Sequence, residues 1–176
     1  ISWFGAFVWL AVVGSAVIAL APHWEALFGQ TTHLFQNIDP NSAWLLWLTF
    51  IVIKFIHEMG HAFSCRRFGG EVHEVGIMFL VLVPTPYVDA SSAWAFPNKW
   101  KRIFVGAGGM IFELFVAAIC GFIWLATMGS PGLINQLAYN TMLIASVSTI
   151  LFNANPLLRY DGYYILSDFW EIPNLQ

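Results

Sequence analysis

His57-Glu58-Met59-Gly60-His61 sets two imidazoles four residues apart, with a carboxylate beside the first. On a helix this spacing stacks His57 and His61 on one face, where both rings can close on a single ion. Glu58 leaves the helix about 100° further round, a direction from which it can reach a water at that ion. Two imidazoles on zinc and an adjacent carboxylate are the parts of a metal-assisted peptide hydrolase. A pattern with three fixed positions recurs by accident in on the order of 1% of chains this size. This copy, however, lies inside an apolar segment long enough to cross a bilayer, where ionisable groups are costly and usually mark function. His57 and His61 are therefore expected to bind metal.

Zinc on two histidines takes a third protein ligand and keeps a fourth position open for water. A second stretch, Asn153-Ala154-Asn155-Pro156-Leu157-Leu158-Arg159-Tyr160-Asp161-Gly162, supplies the best candidate. Asp161 is an acid at the mouth of an apolar helix, following a proline that breaks the helix and re-aims the chain. Cys65 shares the histidine face, but eight helical residues put it roughly 12 Å from His57. Glu113 and His73 stay open as alternatives. His23 and His33 have no spaced partner and read as ordinary loop histidines.

The elements that must hold these residues are apolar. Of the 176 residues, 59% are hydrophobic and only 10% charged, against about 25% charged in a soluble domain. The expectation is an all-α polytopic membrane protein forming a single domain over 1–176, itself a piece of a longer protein. A net charge of −3 gives no sign of nucleic-acid binding. Four spans are expected at about 3–21, 43–68, 102–128 and 133–158. The first ends at Pro22, and a polar loop covers 23–42. Asp39-Pro40-Asn41-Ser42 reads as the turn and N-cap of the second helix, which Gly69-Gly70 stops. Lys54, three residues before His57, either snorkels to the interface or pairs with an acid. The segment 71–89 is β-rich: Val72, Val75, Ile77, Phe79, Val81 and Val83 suggest one or two strands forming a membrane-associated hairpin, with Pro84-Thr85-Pro86 ending the run. Gly129-Ser130-Pro131-Gly132 is a tight turn, and the chain stops shortly after Pro173.

Taken together, the histidine motif and Asn153…Pro156…Asp161-Gly162 resemble the site-2 protease family of intramembrane zinc metalloproteases. FNANPLLRYDGYYILSD (152–168) and PYVDASSAW (86–94) are similar to a bacterial branch found beside HlyD-like exporter components and peptide-maturation systems. The resemblance covers the chain from about Ala43 to Asn174. It implies zinc ligands at His57, His61 and Asp161, one Zn2+ per chain, a general base at Glu58 and a substrate-contacting amide at Asn153. Two departures stand out: Leu158 occupies the place of the family's second proline, and Ala107-Gly108-Gly109-Met110 stands where many members carry a proline. The expected activity is hydrolysis of a peptide bond in or next to the transmembrane segment of a membrane protein or peptide. The expected partners are that substrate, the lipid bilayer and HlyD-like membrane-fusion or exporter components, with no nucleic acid. The competing reading is a non-proteolytic zinc-binding membrane scaffold or exporter subunit. A metal transporter would need more intramembrane acids and histidines than this chain has.

Arg66, Arg67, Lys99, Lys101 and Arg102 all fall at the facing ends of the second and third expected spans or between them, whereas 22–42 and 129–136 carry no Lys or Arg. By the positive-inside rule the basic segment is cytoplasmic, giving both chain ends inside and zinc nearer the cytoplasmic face of a bacterial cytoplasmic membrane. A single cysteine introduced beside Lys99 in a cysteine-free background is expected to resist a membrane-impermeant thiol reagent added from outside. Labelling there would reverse the topology.

Overall fold

The computed structural model describes residues 3–80, 83–130 and 132–172. Val81, Pro131 and Pro173, named above in the strand run, the tight turn and the chain end, lie outside them. Helices make up about three quarters of the described residues, which with one small antiparallel hairpin makes the chain an all-α membrane protein. Among the described residues, three helical segments are long and apolar enough to cross a bilayer. The first runs from α1 (Trp3–Leu20) through a 3-10 turn (Ala21–His23) into α2 (Trp24–Gln36); the others are α3 (Pro40–Arg67) and α4 (Lys99–Thr127). The fourth expected span is shorter than anticipated. α5 (Leu133–Val147) has 15 residues, below the ~20 a spanning helix needs, and it continues as a π-helical turn at Ser148–Asn153.

α2 corrects the loop expected at 23–42. Pro22 stands in the first turn of the new helical piece, where a missing N–H has no partner to lose. The Thr31 and Thr32 hydroxyls fold back onto the carbonyls of Leu27 and Phe28, so these polar residues sit within the helix without open donors. α3 also starts earlier than 43. Asp39 is its N-cap, accepting from the Ser42 amide at 2.6 Å, and Pro40 takes the first helical position. Its end follows the sequence signal closely. Gly69 adopts φ 85°, Gly70 N–H donates to the Cys65 carbonyl and Gly69 N–H to that of Arg66, which is a Schellman closure.

By its contacts the chain forms two compact units. One comprises Ile1–Phe50 with Leu114–Ile144. It is built on buried Trp124, Ala138, Tyr139 and Met142, against which Leu20, Leu27 and Leu34 pack. The Trp124 indole donates to Gln30 and the Tyr139 hydroxyl to the Leu27 carbonyl, so both aromatic polar tips are satisfied. The other unit, Ile51–Glu113 with Ala145–Gln176, holds every residue of the candidate site. Its apolar core joins Cys65, Ala93 and Val105 to Phe68, Val72, Ala90 and Phe96.

The hairpin pairs β1 (Val75–Leu80) with β2 (Val83–Val88). Pro84 and Pro86, expected to end the strand run, stand inside β2, and the register shows why they are tolerated. Asp89 N–H donates to the Glu74 carbonyl, so the hydrogen-bonded phase includes Gly76↔Tyr87 and Met78↔Thr85. Both prolines fall on the alternate positions, opposite Ile77 and Phe79, where an N–H would point away from β1. The free edge of β2 thus lacks two amide donors, while Ile77 and Phe79 keep theirs on the free edge of β1.

Candidate metal centre

α3 can bring its histidines against α4 because the crossing is made of glycine. A Cβ on Gly60 would overlap the Gly108 carbonyl, one on Gly108 would meet Gly60 O at 2.6 Å, and one on Gly109 would run into the His57 ring. Only hydrogen fits at these three positions, which lets the two backbones approach as small residues do in membrane bundles. This gives the Gly108-Gly109 departure noted in the sequence a packing role in this chain.

Asp161 arrives from a different element. The sequence suggested a helix to 158 followed by a turn; instead the π-turn ends at Asn153, and Asp161 opens a short helix, α6 (Asp161–Trp170). Gly162 permits this, since a Cβ there would lie 2.6 Å from the Ala154 carbonyl. α6 is tied to the start of α4 by Arg102 to Asp168 at 2.6 Å and Lys99 to Glu171 at 2.7 Å.

Three side chains converge. His57 Nε2 lies 3.0 Å from His61 Nε2 and 3.0 Å from Asp161 Oδ2, and His61 Nε2 lies 3.6 Å from Asp161 Oδ1. All three offer ligand atoms within 4.8 Å of one another. Asp161 Oδ2 is buried yet has no partner in hydrogen-bond geometry. Its neighbours are ring nitrogens, and His61 has its proton elsewhere, because Nδ1 donates to the Val105 carbonyl at 2.8 Å. That leaves the His61 Nε2 lone pair facing the cluster. Two nitrogens on a tetrahedral zinc would be about 3.3 Å apart at the usual bond lengths. The donor set and its spacing fit a zinc ion.

Glu58, His61 and Asp161 line one end of a cavity of about 390 Å3 whose other walls include Asp89, Trp94, Arg102 and Tyr164. The Val88 amide, on the free edge of β2, faces the Glu58 carboxylate. At the cavity wall the Ser91 hydroxyl and amide hold the Asp89 carboxyl below its usual range. Asn153 is buried, and its amide donates to Glu113 at 3.1 Å. Of the rival ligands, Glu113 lies 3.4 Å from His57 Nδ1, the ring nitrogen turned away from the cluster. It also receives Lys54 at 3.2 Å, so the lysine pairs and does not snorkel. Cys65 is wholly buried in the core against Ser92, and exposed His73 lies beside Glu71. Sequence reasoning missed Ser148 and Thr149, which belong to the Glu113 cluster, and the cavity walls at Asp89, Trp94 and Tyr164. The available signals were the polar pair inside an apolar helix and the PYVDASSAW stretch.

Asp161→Ala is expected to lower zinc content sharply in the purified protein, measured by inductively coupled plasma mass spectrometry. His73→Ala and Cys65→Ser should leave it unchanged. Full zinc in the Asp161 variant would put the third ligand elsewhere.

The model of peptidase family M50 matches residues 45–158 of this chain. The chain is also 31% identical over 140 residues to the "Putative peptide zinc metalloprotease protein YydH" of Bacillus subtilis (strain 168), an alignment covering 73% of this chain and 50% of that protein. It thus spans about half the length of the curated relative it matches. No solved structure matches it. The matched span carries the histidine motif, the glycine crossing and the π-turn, and on that match the chain belongs to peptidase family M50.

Proposed function

We propose that the protein is an intramembrane zinc metalloprotease that hydrolyses a peptide bond in or next to the transmembrane segment of a membrane protein or peptide. The observation that carries this reading is the convergence of His57, His61 and the orphaned Asp161 oxygen beside Glu58, at a cavity of about 390 Å3. His57, His61 and Asp161 would hold one zinc per chain. When bound, zinc supplies Lewis acidity, polarising a carbonyl and lowering the pKa of water toward 7. Glu58 takes a proton from the attacking water and returns it to the amine released as the C–N bond breaks. A substrate contact at Asn153 would draw on the side-chain amide, one N–H of which bonds Glu113 here. The enzyme works as a multi-pass protein of a bacterial cytoplasmic membrane, with its site toward the cytoplasm and HlyD-like exporter components as partners. A carboxylate placed at the cavity beside the metal residues favours catalysis over a zinc scaffold.

Glu58→Gln is expected to keep about one zinc per chain and to lose hydrolysis, because the carboxylate is the base and not a ligand. Zinc content and comparison of membrane peptidomes from cells making each form test this. Cleavage at the normal rate by the variant would remove Glu58 from the mechanism.

A transmembrane substrate has to be unwound before cleavage, and each unpaired amide in hydrocarbon costs several kcal/mol. We propose that the extended substrate pairs with the free edge of β1, since that edge keeps the amide donors that Pro84 and Pro86 remove from β2. Ile77→Pro and Phe79→Pro lose only outward N–H groups, leaving the hairpin's own bonds intact. Each should reduce cleavage about fivefold, the worth of a lost hydrogen bond near 1 kcal/mol, with zinc retained. Normal cleavage by both variants would leave the hairpin as no more than a wall of the entrance.

A further inference from the structure

A polar cluster lies on the far side of the His57 ring, and of its members only Asn153 enters the steps above. Its centre is Glu113, 0% exposed, on α4. Glu113 Oε1 receives Lys54 at 3.2 Å, and Oε2 accepts from Thr149 Oγ1 at 2.5 Å and from Asn153 at 3.1 Å. Lys54 also donates to Ser148 Oγ at 2.5 Å. Ser148, Thr149 and Asn153 all come from the π-turn, whose i→i+5 pitch brings residues five apart onto one face. Stability is a poor account of such a cluster. A buried ion pair can commonly be replaced by apolar residues at no loss, so one kept inside an apolar bundle points to use.

We infer that Glu113, paired with Lys54, is a positioning residue for the metal: it accepts the Nδ1 proton of His57 and so turns the Nε2 lone pair toward His61 and Asp161. The inference rests on the metal reading above. Two groups compete for His57 Nδ1, Glu113 Oε2 at 3.4 Å and Asn153 Nδ2 at 3.3 Å. If Asn153 donated to it, Nδ1 would be the acceptor, the proton would sit on Nε2, and no lone pair would face the cluster. The carboxylate wins this competition because a bond to an ionised acceptor is roughly twice as strong as a neutral one. Thr149 and Asn153 fix the carboxylate's orientation, and Lys54 balances its charge. His61 reaches the same tautomer through a neutral acceptor, the Val105 carbonyl. The two ligands are therefore held differently, His57 by an anion and His61 by backbone.

The test compares wild type, Glu113→Gln and the double variant Lys54→Met/Glu113→Gln in the full chain purified in detergent. Zinc affinity is read by competition with a chromogenic chelator, and thermal melting is followed in parallel. Glu113→Gln should weaken zinc about 10–100-fold, the usual effect of losing the carboxylate behind a metal-bound histidine. It should also shift the visible absorption of the cobalt-substituted protein. In the double variant no unpaired charge remains, so melting should return toward wild type while zinc binding stays weak. Joint recovery of melting and affinity would make the pair merely structural and overturn the inference, as would unchanged affinity in Glu113→Gln. A wild-type chain that takes up no zinc would overturn the metal reading itself, and this inference with it.

Discussion

An ionisable group inside hydrocarbon has to meet a partner, and this requirement organises the half of the chain that holds the candidate metal centre. Lys54 meets Glu113, and Glu113 meets His57, Thr149 and Asn153. His61 meets the Val105 carbonyl, and Glu58 faces the Val88 amide. These pairings tie α3 to α4 and to the hairpin, and α4 in turn to the π-turn. The glycine crossing at Gly60, Gly108 and Gly109 is what makes these reaches short enough. With side chains there, α3 and α4 would stand apart, and neither Val105 nor Glu113 could reach an imidazole.

The site was legible in proportion to how local its signals are. His57, Glu58 and His61 lie on one turn, so their spacing alone groups them. Asp161 is a hundred residues further along, and its selection rested on zinc's need for a third ligand and on the resemblance. Glu113 could be recognised as an acid near the site, but not which nitrogen of His57 it faces, because that depends on a helix crossing. The spans at α1, α3 and α4 followed from runs of apolar residues. α2 was lost because Pro22 and a polar composition both read as loop, although proline in a first helical turn starts a helix as readily as it ends one. The prolines of β2 misled in the same way. Only the pairing register tells a ladder-breaking proline from one whose missing N–H faces outward.

The π-turn shows a local departure from regular structure placed where the site needs it. Carried on as an α-helix, α5 would rotate Ser148 and Asn153 onto different faces. The wider turn keeps both toward Lys54 and Glu113. The same turn then ends the helical run at Asn153, leaving room for the chain to bend through Pro156 and begin α6 at Asp161.

That Asp161 opens α6 has a consequence for biosynthesis. The ribosome makes the histidine helix early and the aspartate a hundred residues later. At roughly 5–20 residues per second, the growing chain carries two ligands without the third for about 5–20 s. Through that interval α3 can already be inserted among other unfolded membrane segments, yet the third ligand does not exist. A metal centre assembled in this order stays incomplete until α6 has been made.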